Sequence, residues 1–187
     1  AVNSGRYEFR NKGIDLFIEA LGKLNRELKE GPEIIAFITV PAHHTGVNQE
    51  LANILAGKSK RSKNLSNRQT THVLHSPGND AVLNAAKEHG LENKPEDKVS
   101  LIFVPAYLNT ADGIFNMSYY DLLIGFDISV FPSYYEPWGY TPLESAAFSI
   151  PTVTTTLAGF GRWVKEKFGP GNPGVMVIER TDDNDRA

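Results

Sequence analysis

Val130-Phe-Pro-Ser-Tyr-Tyr-Glu136-Pro-Trp-Gly-Tyr-Thr141-Pro-Leu-Glu144-Ser-Ala146 reads as the end of a buried strand, a tight aromatic loop and the start of a helix. Seven residues separate its two glutamates. Thr141 precedes Pro142, and Glu144 follows three residues after Thr141, the pattern of a capping box with proline at the first helical position. A helix is expected to begin here, its free backbone N–H groups and positive dipole end facing the crevice above a sheet. An α/β sheet presents its polar site at the carboxyl ends of its strands, so this crevice suits a diphosphate. Tyr134, Tyr135, Trp138 and Tyr140 crowd the same loop and offer faces for a base or walls for a sugar. As a cap, Glu144 has an ordinary structural duty. Glu136, set just after a buried strand beside proline and near Trp138, has none.

Outward from this stretch, helices and strands alternate. Lys12 to Glu30 carries Ile14, Phe17, Ile18, Leu21, Leu24 and Leu28 on one helical face, and Gly31-Pro32 closes it. Glu33–Val40, Val99–Val104, Asp127–Phe131, Thr152–Thr156 and Val175–Ile178 are mostly apolar runs, as in strands covered on both faces. Between them lie helical stretches at Asn79–His89, Ser118–Gly125, Pro142–Ser149 and Arg162–Phe168. The alternation predicts an α/β fold, a Rossmann-like parallel sheet with helices on both faces. Lys58–Arg68 interrupts the pattern with five positive charges and no negative ones, and reads as a solvated helix end and loop.

The chain has 187 residues, 41% of them hydrophobic, which allows one α/β domain, taken here as residues 1–187. It opens at Gly5 with no earlier strand or helix and closes in the polar run Thr181–Ala187, which suggests a piece of a longer protein. A net charge of -3 gives no electrostatic case for nucleic acid or an anionic membrane. Without cysteine there is neither a disulfide nor a thiolate metal site, as suits a reducing, cytoplasmic compartment. No secretory leader or membrane span is evident. The sequons at Asn64 and Asn116 are then read as chance.

Three enzyme signatures fail. Gly159-Phe-Gly161 follows a strand, but a dinucleotide fingerprint would need its third glycine at Val164. Gly57-Lys-Ser59 ends like a phosphate loop whose first glycine is Ala52. His43 and His44 are adjacent and point different ways, so no metal is expected. The cation Lys12, placed at the opening of the first helix, opposes the helix dipole unless an anion sits beside it, which points to phosphate.

Gly5-Arg-Tyr-Glu-Phe-Arg-Asn-Lys-Gly13 and Phe131–Glu144 closely resemble the glycogen synthase family of the animal and fungal type, glycosyltransferase family 3. Thr70-Thr-His72, Val99–Leu108 and Leu157–Gly161 fit in order. The resemblance implies the C-terminal, sugar-nucleotide-binding half of a two-domain GT-B glycosyltransferase. It implies transfer of glucose from UDP-glucose to the 4-hydroxyl end of an α-1,4-glucan, with retention, no metal and no cofactor beyond the donor. It places Arg6 and Lys12 at the diphosphate and Glu136 at the donor glucose, with the amides of Trp138 and Gly139 near the glucose hydroxyls. Tyr140 falls at the uracil, Thr141 at the phosphate, Glu144 at the ribose, and Tyr107 and Tyr119 near the base. It further implies the N-terminal domain and an α-glucan as partners, a homo-oligomeric full-length enzyme, and no activity from this half alone.

The chain departs from the family at Pro41-Ala-His-His-Thr, at Ile124 where arginine is common, and in a shorter Gly46–Asn67 segment. The arginine-rich regulatory helix would follow residue 187, which leaves control by glucose 6-phosphate open, and a bacterial member fits better than a eukaryotic one. The residues leave two roles open for Glu136, a covalent nucleophile or a stabiliser of an oxocarbenium-like state in a front-face reaction. Other readings are another retaining glycosyltransferase using ADP-glucose and a non-catalytic nucleotide-sugar module.

Overall fold

The computed structural model describes residues 1–60, 65–169 and 174–181. Arg61 to Asn64 of the basic run, with one sequon asparagine, and residues 182–187 of the polar end lie outside the described residues. In chain order the elements are β1 (Val2–Ser4), α1 (Ile14–Glu27), β2 (Ile34–Thr39), β3 (His44–Val47), α2 (Gln49–Leu55), β4 (His72–Leu74), α3 (Ala81–Glu88), β5 (Val99–Val104), α4 (Tyr119–Leu123), β6 (Ser129–Val130), α5 (Tyr140–Ala147), β7 (Thr152–Thr155), α6 (Gly159–Phe168) and β8 (Val175–Ile178).

Six strands make one parallel sheet in the order β5-β2-β1-β6-β7-β8. The chain runs outward from β1 to β2 and β5, then returns to β6 and runs the other way. The direction reverses between β1 and β6, and in open α/β sheets ligands bind at that reversal, beyond the carboxyl ends of the strands. The expected Rossmann-like sheet is therefore present. Among the described residues no helix is long and apolar enough to cross a membrane.

Alternation along β2 sends its side chains to two faces. Ala36 and Ile38 join Ile14, Phe17 and Ile18 of α1 and Val82 and Ala86 of α3 in the main core. Phe37 meets the cluster of Val2, Leu123 and Ile150 on the other face. A third cluster joins Phe160 and Val164 of α6 to Val175 of β8, with Trp138 packed against it. Each fully buried large apolar side chain here stabilises the fold by about 1.5–3 kcal/mol.

Three expectations are corrected. A strand does precede Gly5. Two of the three residues in β1 are polar, so it shows no apolar run, yet all three are buried between β2 and β6. The Asn3 amide donates to the Val130 carbonyl at 2.7 Å, which satisfies a polar side chain in a central strand. Second, α1 begins at Ile14, not at Lys12. Gly13 is its N-cap in the left-handed region, φ 67°, so Lys12 stays in the preceding loop. Third, α5 begins at Tyr140 with Gly139 as N-cap at φ 101°, and no side chain caps it. Thr141 thus lies inside the first turn and the capping box does not form. Pro142 is tolerated there because first-turn N–H groups have no helical partner. A separate antiparallel pair, β3 with β4, was not anticipated.

Candidate functional site

Two loops leave the switch point side by side, residues 5–13 after β1 and residues 131–139 after β6. Their closeness depends on glycine. A Cβ on Gly13 would overlap the Pro132 carbonyl, and one on Gly159 would overlap the Pro137 carbonyl. Backbone bonds hold the same contacts. The Tyr134 amide donates to the Asn11 carbonyl at 2.9 Å, the Gly159 amide to the Glu136 carbonyl at 3.0 Å, and the Phe160 amide to the Trp138 carbonyl at 2.6 Å. Tyr7 pins the first loop from its far side, donating to Asp80 at 2.7 Å and accepting from the Val82 amide at 3.2 Å.

Between these loops Lys12 and Glu136 form an ion pair across 124 residues of sequence. Their side chains are only 12% and 17% exposed, so the pair lies at the back of the crevice, where water screens it weakly. Arg6 stands apart. Its guanidinium pairs with Glu8 at 3.1 Å and its side chain is 77% exposed. The anion beside Lys12 is thus a carboxylate of the protein itself.

The α5 end faces the same crevice. The N–H groups of Trp138, Gly139, Tyr140 and Thr141 meet no acceptor among the described residues. A helix mouth with free amides favours an anion electrostatically. The Trp138 ring turns away from it and packs on Phe160 and Trp163 with centroids 6.1 Å apart in each case, so only its backbone is available. Tyr140 is exposed, and Tyr134 lies under Arg180.

Glu144 does not cap α5. It accepts from the Tyr120 hydroxyl at 3.1 Å, which keeps the Tyr120 proton on and raises its pKa. The doublet Tyr119-Tyr120 in front of α4's apolar Leu123 was the only sequence signal for that second tyrosine. The contact is solvent-exposed, so Tyr120→Phe is expected to leave the melting temperature essentially unchanged in thermal unfolding. A large loss would show the contact to be structural.

Tyr119 sits deeper, its hydroxyl 2.7 Å from that of Ser4. Burial pushes its phenol up to about 12, so it stays protonated near neutral pH. Ser4, Gly5, Thr39, Tyr107, Tyr119 and Thr141 surround a cavity of about 210 Å³. Tyr107 stands at its rim, 76% exposed. The structure therefore gathers Lys12, Glu136, Trp138, Gly139, Tyr140 and Thr141 at one crevice edge, and Tyr107 and Tyr119 with Thr141 around the cavity. His44 packs on His72 with ring centroids 4.6 Å apart, while His43 is exposed, so the adjacent histidines do point apart. Among the described residues no three His, Asp or Glu side chains converge as metal ligands.

The family profile described as glycogen synthase matches residues 2–68 and 54–185. The chain is 29% identical to glycogen [starch] synthase isoform 2 of Saccharomyces cerevisiae over 239 aligned positions, covering 95% of the chain and 34% of that protein. It is 31% identical over 231 positions to glycogen [starch] synthase of Neurospora crassa, with 95% and 33% covered. The liver glycogen [starch] synthase of Mus musculus is 31% identical over 227 positions, with 95% and 32% covered. The chain spans about a third of the length of these curated relatives. Each alignment is longer than the chain's 187 residues, in keeping with a segment that is shorter here.

Proposed function

This chain belongs to the glycogen synthase family, and on that premise we propose that it is the donor-nucleotide half of a retaining glucosyltransferase that builds an α-1,4-glucan from UDP-glucose. The observation that carries this reading is the meeting of Lys12 and Glu136 beside the open amides of α5 at the sheet's switch point. A cation and free helix N–H groups stabilise a departing diphosphate more than the intact donor, because negative charge builds on it as the glycosidic bond breaks. A carboxylate next to that cation sits where positive charge develops on the sugar. Glu136 and Lys12 neutralise each other as a pair and separate to serve opposite charges when the donor binds.

In this reading Thr141 and the first turn of α5 hold the phosphate, and Arg6 swings from Glu8 to join them. The amides of Trp138 and Gly139 contact glucose hydroxyls. Tyr107, Tyr119 and Tyr140 flank the base, and Glu144 leaves Tyr120 to bind the ribose. The glucan acceptor and an N-terminal domain complete the enzyme, which is cytoplasmic and homo-oligomeric when full-length.

Calorimetry of the chain with UDP, ADP and UDP-glucose tests this. UDP binding is expected, and Lys12→Ala should weaken it by about tenfold or more, the effect of losing a charged hydrogen bond. Arg6→Ala should weaken it less, since that side chain must first leave Glu8. Unchanged affinity in both variants would falsify the phosphate assignment. The chain alone should show no glucosyl transfer.

A further inference from the structure

We infer that Thr39 binds the polar edge of the nucleobase, through a hydroxyl that the folded protein leaves without a partner. This rests on the nucleotide-binding reading of the crevice. Thr39 closes β2, in register with Ser4 of β1 and Val104 of β5. It is 7% exposed, and its Oγ1 makes no hydrogen bond. It also lines the cavity between Tyr107, Tyr119 and Thr141.

A buried hydroxyl without a partner is a cost that valine would remove while fitting the strand equally well. Other buried threonines avoid it. Thr70 donates to the His72 carbonyl at 2.8 Å, and Thr155 to the Ser133 carbonyl at 3.1 Å. Thr154 is also unpaired, but it packs against Gly161 of α6, away from the cavity. On the cavity floor itself, the Ser4 and Tyr119 hydroxyls already satisfy each other. Thr39 is therefore the buried side chain lining this cavity, among those described, whose hydroxyl has no partner.

The lining also says what fits. It has two tyrosine rings, Pro41 and Ala106, and no charged side chain. Away from its Thr141 end no cation or open helix amide among the described residues faces a phosphate, and a flat neutral heterocycle with hydrogen-bonding atoms at its rim is favoured. A hydroxyl both donates and accepts, so it meets either a carbonyl or a ring N–H of the base. A turn about χ1 to another staggered rotamer exchanges the Thr39 methyl and hydroxyl at the cavity wall.

The experiment is UDP and pyrophosphate titration of the wild-type chain, Thr39→Val and Thr39→Ser, with thermal unfolding of each. Thr39→Val should weaken UDP about five- to tenfold, as loss of one neutral hydrogen bond does. It should leave pyrophosphate affinity unchanged and melt no lower than wild type. Thr39→Ser should bind UDP like wild type. Wild-type UDP affinity in Thr39→Val, or an equal loss for UDP and pyrophosphate, overturns the inference and leaves the crevice reading intact. A wild-type chain that binds neither ligand overturns both.

Discussion

Gly13→Ala is expected to destabilise the protein by about 3 kcal/mol or more, a fall in melting temperature of roughly 6–12 °C for a domain of this size. Two effects add. The φ of 67° at Gly13 lies in the left-handed region, which costs a residue with a Cβ about 1–2 kcal/mol. The new methyl would also overlap the Pro132 carbonyl, so backbone must move. Gly90 separates the two effects. Its φ is 73°, yet a Cβ there meets nothing within 4 Å. Gly90→Ala should show only the conformational part. Equal losses in the two variants would mean that the loops do not press together at Gly13. The movement also has a functional reading. Pushing Pro132 outward also shifts the loop that leads into the open amides of α5, so Gly13→Ala should weaken UDP binding as well, whereas Gly90→Ala should not.

The same glycine explains what the sequence could and could not tell. β5 and β8 were legible to the residue because each is a short, mostly apolar run rich in β-branched residues, although in the edge strand β8 Met176 and Ile178 stay exposed. β1 was invisible by the same test. Its Asn3 and Ser4 belong in the interior only because Val130 and Tyr119, more than a hundred residues away, supply their partners. The start of α5 was misplaced because Thr-Pro-x-Glu is a good local cap, and Gly139 at φ 101° turned the chain into a helix before that cap was reached. Lys12 and Glu136 were each singled out as polar residues without an evident duty. Their pairing was not legible, since it depends on how closely Gly13 lets the two loops approach. Thr39 left no trace in the sequence either. Threonine is an ordinary strand residue, and only its missing partner marks it.

The Lys12–Glu136 pair leads to a second large effect with an unusual signature. Removing one member of a poorly solvated ion pair leaves the other charge uncompensated, at a cost of about 3–5 kcal/mol for a fully buried pair and about 2 kcal/mol at this partial exposure. Glu136→Gln should therefore lower stability by about 2 kcal/mol. It should also tighten UDP binding several-fold, because the diphosphate no longer competes with a carboxylate for Lys12 and no longer faces its negative charge. Lys12→Ala acts in the opposite direction on the ligand. In an enzyme assembled with its acceptor-side domain, Glu136→Gln or Glu136→Ala should reduce transfer to background, since the positive charge developing on the sugar loses the carboxylate placed beside it in this reading. Tight donor binding with no turnover is what separates a charge-stabilising glutamate from one that merely shapes the loop, which would lose binding and activity together. The double variant Lys12→Met/Glu136→Leu supplies the remaining check. It restores most of the stability, with a coupling of about 2 kcal/mol between the sites, yet binds UDP poorly. If Glu136→Gln instead binds UDP more weakly than wild type, the carboxylate helps to hold the nucleotide and the partner exchange assigned to Lys12 does not occur.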